Sequence, residues 1–153
     1  MDDFYAARSG IIPPLPWSNF APPLSIEAVL NRLEPSRVSI CIDTGHMAYA
    51  GIDPIDFYRR HAERVKYFHF KDINPTIHQH VLSERIPFLT AVERKVFCPL
   101  GQGMVDWQEL AKAMHETGYA GAATIEQDID PAVSLSPLED AKASLDYLRS
   151  VGF

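Results

Sequence analysis

Three short apolar runs, "RVSICID" (37–43), "VKYFHFKD" (65–72) and "GAATIEQD" (121–128), each finish on carboxylate or imidazole side chains. Runs this short and this nearly continuous read as strands buried on both faces, as in a parallel sheet covered by helices. Helical patterns separate them. "SIEAVLNRL" sets Ile26, Val29, Leu30 and Leu33 at helical spacing. "DPIDFYRRHAERV" offers Asp53 as N-cap, Pro54 at the first helical position and Asp56 in the first turn. "DWQELAKAMHETG" pairs Asp106 with Glu109 as a capping box and stops at Gly118. "SPLEDAKASLDYLRS" starts with Ser136 as cap, Pro137 next and Glu139 in the third position. Between Asn74 and Cys98 the pattern is ambiguous; "SERIPFLTAVERKVF" has helical composition interrupted by Pro87. The order α, β, α, β, (α), α, β, α predicts an α/β fold with right-handed crossovers.

Residues 1–24 break this rhythm. "SGIIPPLPWSNFAPPLS" carries five of the 12 prolines, which suppress both helix and central strand. An extended, poorly structured lead-in is expected there, with the folded part over 25–153. The formal net charge of −6 leaves no basic footprint for nucleic acid or an anionic membrane. No apolar run reaches the roughly 18 residues that a membrane span requires. "MDDFYAARSG" has no apolar signal core, so a cytoplasmic location is expected. Cys41 and Cys98 lack metal-type spacing, and Cys41 reads as a buried thiol within a strand.

The polar strand ends carry the chemistry. In a parallel α/β sheet or barrel, ligands bind at the carboxyl ends of the strands. Asp43, His69 and Glu126 are therefore expected at one place, as a mixed set suited to Mn²⁺, Co²⁺, Mg²⁺ or Zn²⁺. Each has a plain alternative. Asp43 before "TG" suits an Asx turn or a helix cap, His69 suits a core histidine, and Glu126 suits an ion pair with Lys71. Arg85 and Lys71 are candidates for an anionic or polyol substrate, with solvated faces as their alternative. "GQGMVD" follows no clear strand and lacks a third glycine, so it reads as a plain loop. "HQH" at 78–80 reads as a solvated loop.

"CIDTGHMAYAGIDP", "YFHFKD", "PLGQGMVDWQELAKAMHETGYAG", "IEQD" and "SPLEDAKASLDYLR" together resemble the xylose isomerase-like (β/α)₈ barrel superfamily of sugar epimerases, isomerases and dehydratases. Within it they are most similar to the inosose dehydratases. The resemblance covers 25–153 and implies a partial TIM barrel: its C-terminal half, with three to four parallel strands and their helices. A complete barrel takes about 250 residues. The family's divalent metal is held by an early Glu, the Asp of "DTGH", the His of "HxKD" and a late Glu. The last three carry over onto Asp43, His69 and Glu126, with Mn²⁺ or Co²⁺ as the implied ion. His46 and Lys71 are implied to line the substrate pocket and to move protons, with Asp72 and Arg85 as further substrate contacts.

The implied reaction is dehydration of a keto-inositol through a metal-stabilised enediolate; isomerisation or epimerisation of a sugar uses the same site. The missing first Glu and missing early strands imply a fragment. They also imply either a partner, as a second copy or a complementary N-terminal half, or a chain inactive by itself.

Overall fold

Side-chain caps set where the helices start. The computed structural model describes residues 26–129 and 137–153; the lead-in expected over 1–24 and the Ser136 cap lie outside them. The chain divides into two compact units, 1–39 and 40–153. In the first, the described residues carry α1 (Ile26–Leu30), which stops short of Leu33. In the second, α2 (Thr44–Tyr49), α3 (Pro54–His61) and α4 (Pro75–Glu84) begin behind Asp43, Asp53 and Asn74. Each of these side chains accepts from a first-turn N–H. α5 (Phe88–Glu93) starts behind Pro87. α6 (Trp107–Thr117) is capped by Asp106, which accepts from Glu109 N, and ends at Gly118 with φ 66°. α7 spans Pro137–Ser150. The ambiguous stretch from 74 to 98 thus holds two helices with Pro87 between them.

The strands are β1 (Ile40–Asp43), β2 (Val65–Phe70), β3 (Asp72–Ile73), β4 (Phe97–Cys98) and β5 (Ala122–Ile125). β1, β2 and β5 form a parallel sheet in the order β1-β2-β5. The expected "VKYFHFKD" strand is split. At Lys71 the side chain of Thr44 takes over: its Oγ1 accepts from Lys71 N at 2.9 Å and donates to Lys71 O at 2.7 Å. The chain then leaves the sheet, and β3 pairs antiparallel with β4.

One sheet face is packed. Ile42, Phe68 and Phe70 are buried on it, with Phe68 against Tyr58 and Phe70 against Trp107 of the helices at ring-centroid distances of 5.2 and 5.3 Å. Burying each such side chain is worth about 1.5–3 kcal/mol. The other face carries Cys41, Tyr67, Ala122 and Thr124, and is exposed or half-buried among the described residues. The expectation of burial on both faces is therefore corrected, and with it the buried Cys41 thiol. Successive strand residues alternate sides, and no described element of this unit covers the second face.

"GQGMVD" is a loop, as expected, and it is wrapped around one carboxylate. Asp72 has no exposure. It accepts from Ile73 N and Gly101 N at 2.9 Å, Gly103 N and Val105 N at 3.1 Å, and Trp107 Nε1 at 2.9 Å. A Cβ on Gly103 would collide with the Asp72 carboxylate. Backbone amides of a glycine-rich loop suit an anion; here the anion is the protein's own.

The "HQH" expectation is corrected. His78 lies on α4, is buried, and its ring Nε2 bonds to Tyr49 O at 3.0 Å. The amphipathic turn, not a loop, carries it inward, while His80 pairs with Glu84 on the outer side at 3.2 Å.

Replacing Asp72 by Ala leaves five donors facing an apolar gap. At about 1–3 kcal/mol for each buried donor left unpaired, partly relieved by relaxation, the expected loss is about 4 kcal/mol. A shift in the urea midpoint measures it, with Asp72→Asn falling between the two. Burial also holds the His78 imidazole below its ordinary value of 6.5, against the Tyr49 carbonyl, which raises it. The unfolded chain therefore binds a proton first. Stability is full above pH 6.5 and declines as pH falls from there through the lower folded value. Thermal midpoints between pH 7.5 and 5 are expected to fall less in His78→Gln, which keeps a donor for Tyr49 O.

Candidate functional site

The "DTGH" segment closes β1 and opens α2, and each of its residues has a distinct task. Asp43 Oδ1 caps the helix by accepting from His46 N at 2.8 Å, which turns Oδ2 toward the neighbouring strand end. Thr44, fully buried, clamps the backbone of Lys71. Gly45 leaves room for the lysine stem: a Cβ there would meet Lys71 Cγ at 2.6 Å and Cβ at 2.8 Å. His46 receives the far end of that stem, its Nε2 lying 2.9 Å from Lys71 Nζ.

Register brings the other strand ends alongside. Asp43 pairs with His69 across β1 and β2. Glu126 N donates to Phe70 O at 2.9 Å, which extends the β2–β5 ladder by one residue and sets Glu126 beside Lys71. His69 Nδ1 is 2.7 Å from Glu126 Oε2 and 3.7 Å from Asp43 Oδ2. Asp43, His69 and Glu126 each offer a ligand atom, and these atoms lie within 4.8 Å of one another. Asp43 is thus helix cap and cluster member at once, and Glu126 is Lys71 partner and cluster member.

Lys71 is not on a solvated face. Its side chain has no exposure, and its Nζ contacts Asp128 Oδ2 at 2.9 Å, Glu126 Oε1 at 3.0 Å and Asp43 Oδ2 at 3.2 Å. Burial pulls its pKa down, but hydrogen bonds to Asp128 and Glu126 and the charge of Asp43 outweigh that, so the net shift is upward. Nζ also stands 5.1 Å from the Phe97 ring centroid, a cation–π distance. The His46 ring lies 5.1 Å from Phe97 and 5.8 Å from Phe88, so the charged cluster has an aromatic wall on one side.

Two expected substrate contacts stand apart. Asp72 faces away from Lys71, with its carboxylate occupied by the 101–107 donors. Adjacent extended residues point to opposite sides, which separates the two. Arg85 is exposed at the left-handed C-cap of α4 and makes no ion pair with the cluster among the described residues. Asp128 joins the cluster although "IEQD" singled out only Glu126; an acidic residue two positions beyond a strand-end carboxylate returns to the same side, and that spacing was the available signal. A cavity of about 880 Å³ lies at the opposite, amino ends of β2 and β5, lined by Arg64, Lys66 and Tyr119 among others. It holds none of the cluster residues, and ligand sites of parallel sheets lie at the carboxyl ends.

The chain matches known proteins over most of its length. The family described as Xylose isomerase-like TIM barrel matches residues 14–151. Inosose dehydratase of Geobacillus thermodenitrificans (strain NG80-2) is 32% identical over 124 residues, 81% of this chain and 41% of the relative. Inosose dehydratase of Lacticaseibacillus casei is 32% identical over 123 residues, 80% of this chain and 41% of the relative. The chain thus spans about two fifths of the length of these curated relatives. Among solved structures, a sugar phosphate isomerase/epimerase from Parabacteroides distasonis superposes with a TM-score of 0.57 at 19% identity. It covers 81% of this chain and 35% of that one. The "probable 3-DHS dehydratase" of Bacillus anthracis gives 0.52 at 24% identity, covering 72% and 38%. At these identities the structures speak for the fold alone. Three parallel strands in the order β1-β2-β5, flanked by helices, are the corresponding part of that barrel, and the chain belongs to the xylose isomerase-like TIM barrel family.

Proposed function

We propose that this chain carries the metal-binding strand ends of a lyase acting on a polyol ketone, most like inosose dehydratase. The observation that carries this is the convergence of Asp43, His69 and Glu126 from three adjacent strand ends, with Lys71 and His46 beside them. The donor set fits a divalent ion: one imidazole nitrogen and two carboxylates suit Mn²⁺ or Co²⁺, with Mg²⁺ or Zn²⁺ as alternatives. The charge fits too. Three carboxylates (Asp43, Glu126, Asp128) around one ammonium leave two formal negative charges, which one divalent cation would balance. A bound ion supplies Lewis acidity toward a ketone oxygen.

The chain's own groups divide the remaining work. Lys71, its three N–H donors taken by His46, Glu126 and Asp128, holds these groups in place and lends the site a positive charge. His46, whose side chain is 42% exposed, is the group placed to take a proton beside the ketone and return it to a departing hydroxyl. Phe88 and Phe97 shelter that side from water. An isomerase uses the same proton transfers but returns the proton to the neighbouring carbon, so the product decides: loss of one water, or unchanged mass.

The open sheet face with Cys41, Tyr67, Ala122 and Thr124 favours a second reading, in which the chain acts only against complementary strands from a second copy or an N-terminal half. A folded dimer by size exclusion with light scattering supports it; a folded, active monomer overturns it.

Calorimetric titration with Mn²⁺ is expected to give binding that Asp43→Ala weakens about tenfold or more, as loss of a ligand does. Equal heats for both proteins remove Asp43 from the ligand set. With a keto-inositol and Mn²⁺, the 153-residue chain is expected to show little or no dehydration, because positioning can supply about 7–11 kcal/mol of the barrier. Adding the N-terminal half of a full-length relative is expected to restore dehydration, read as appearance of the dehydrated product. No rescue with a well-folded complement would count against the lyase reading.

A further inference from the structure

A lysine ammonium has three N–H donors and no acceptor. At Lys71 they meet three acceptors: His46 Nε2 at 2.9 Å, Glu126 Oε1 at 3.0 Å and Asp128 Oδ2 at 2.9 Å. Two of the nearby carboxylates, Asp43 and Glu126, also belong to the three-ligand group with His69. An ion drawn to that group competes with Lys71 for them. Asp128 does not belong to it. Its Oδ2 instead touches Lys71 Nζ and lies 3.3 Å from His46 Nε2. The carboxylates are therefore divided: two face both cations, and one faces the ammonium and the imidazole.

We propose that Asp128 is a positioning residue: it keeps the Lys71 ammonium directed at His46 when Asp43 and Glu126 are engaged by a divalent ion, and is not itself a metal ligand. This rests on the metal-dependent reading above for its purpose, but not for its geometry. Asp128 is about one-third exposed at 35%, so substituting it leaves the core intact. Lys71 is fixed from behind by the Thr44 clamp and the space over Gly45, which leaves the direction of its last bonds as the only freedom Asp128 controls.

The test separates the two roles. In protein carrying ¹⁵N-lysine, the Nζ–H signal of buried Lys71, identified by its loss in Lys71→Gln, is recorded without metal and with Mg²⁺. Asp128→Ala is expected to speed hydrogen exchange of that signal about tenfold, in line with loss of one buried charge-assisted bond, with the larger change when Mg²⁺ is present; Asp128→Glu is expected to restore it. Mn²⁺ affinity in Asp128→Ala is expected to fall no more than about threefold, the scale of a screened through-space charge, against tenfold or more for Asp43→Ala. An unchanged Lys71 signal in Asp128→Ala overturns the proposal. So does a loss of Mn²⁺ affinity matching that of Asp43→Ala, which would make Asp128 a ligand. Failure of wild-type protein to bind Mn²⁺ defeats the metal-dependent reading instead, while the metal-free Lys71 signal still decides whether Asp128 holds the ammonium.

Discussion

A lysine ammonium with no access to water needs its donors met within the protein, or the cost of burying the charge goes unanswered. At Lys71 that requirement gathers four polar side chains from three segments: His46 from α2, Asp43 from the end of β1, and Glu126 and Asp128 from beyond β5. The strand ends must come to common height for this to happen. The parallel register does so, with Asp43 opposite His69 and Glu126 one step past the Phe70–Ile125 pair. The site and the sheet register thus constrain one another, and a slip by one residue would turn the cluster to the packed face.

Lys71 and Asp72 are neighbours in sequence with opposite duties. The lysine serves the open face at the sheet's end; the aspartate, one residue on, anchors the loop from Pro99 to Asp106 on the other side. Thr44 fixes the point where the chain passes from one duty to the other. Loop, lysine and strand ends are thus joined through a few buried hydrogen bonds.

The family assignment and the site geometry support each other at different levels. Similarity over residues 14–151 identifies the barrel family, while the geometry of this chain brings Asp43, His69 and Glu126 together beside a buried ammonium.

Much of this was legible in the residues themselves. Helix starts at Asp53 and Asp106 and the stop at Gly118 follow from local capping, which needs no distant partner. The α/β class follows from short apolar runs alternating with helical periods, and the gathering of Asp43, His69 and Glu126 follows from the rule that such strands aim their carboxyl ends together. Other features were decided only by tertiary structure, because they depend on what lies across space. The break of the second strand at Lys71 is made by Thr44, 27 positions away. The burial of Lys71 and Asp72, charged residues that composition assigns to the surface, depends on acceptors and donors contributed by remote segments. His78 turns inward, where its ring Nε2 meets the Tyr49 carbonyl at the end of α2. Periodicity records which side of an element is apolar; it does not record which polar atom stands opposite, and that pairing is what the folded chain supplies.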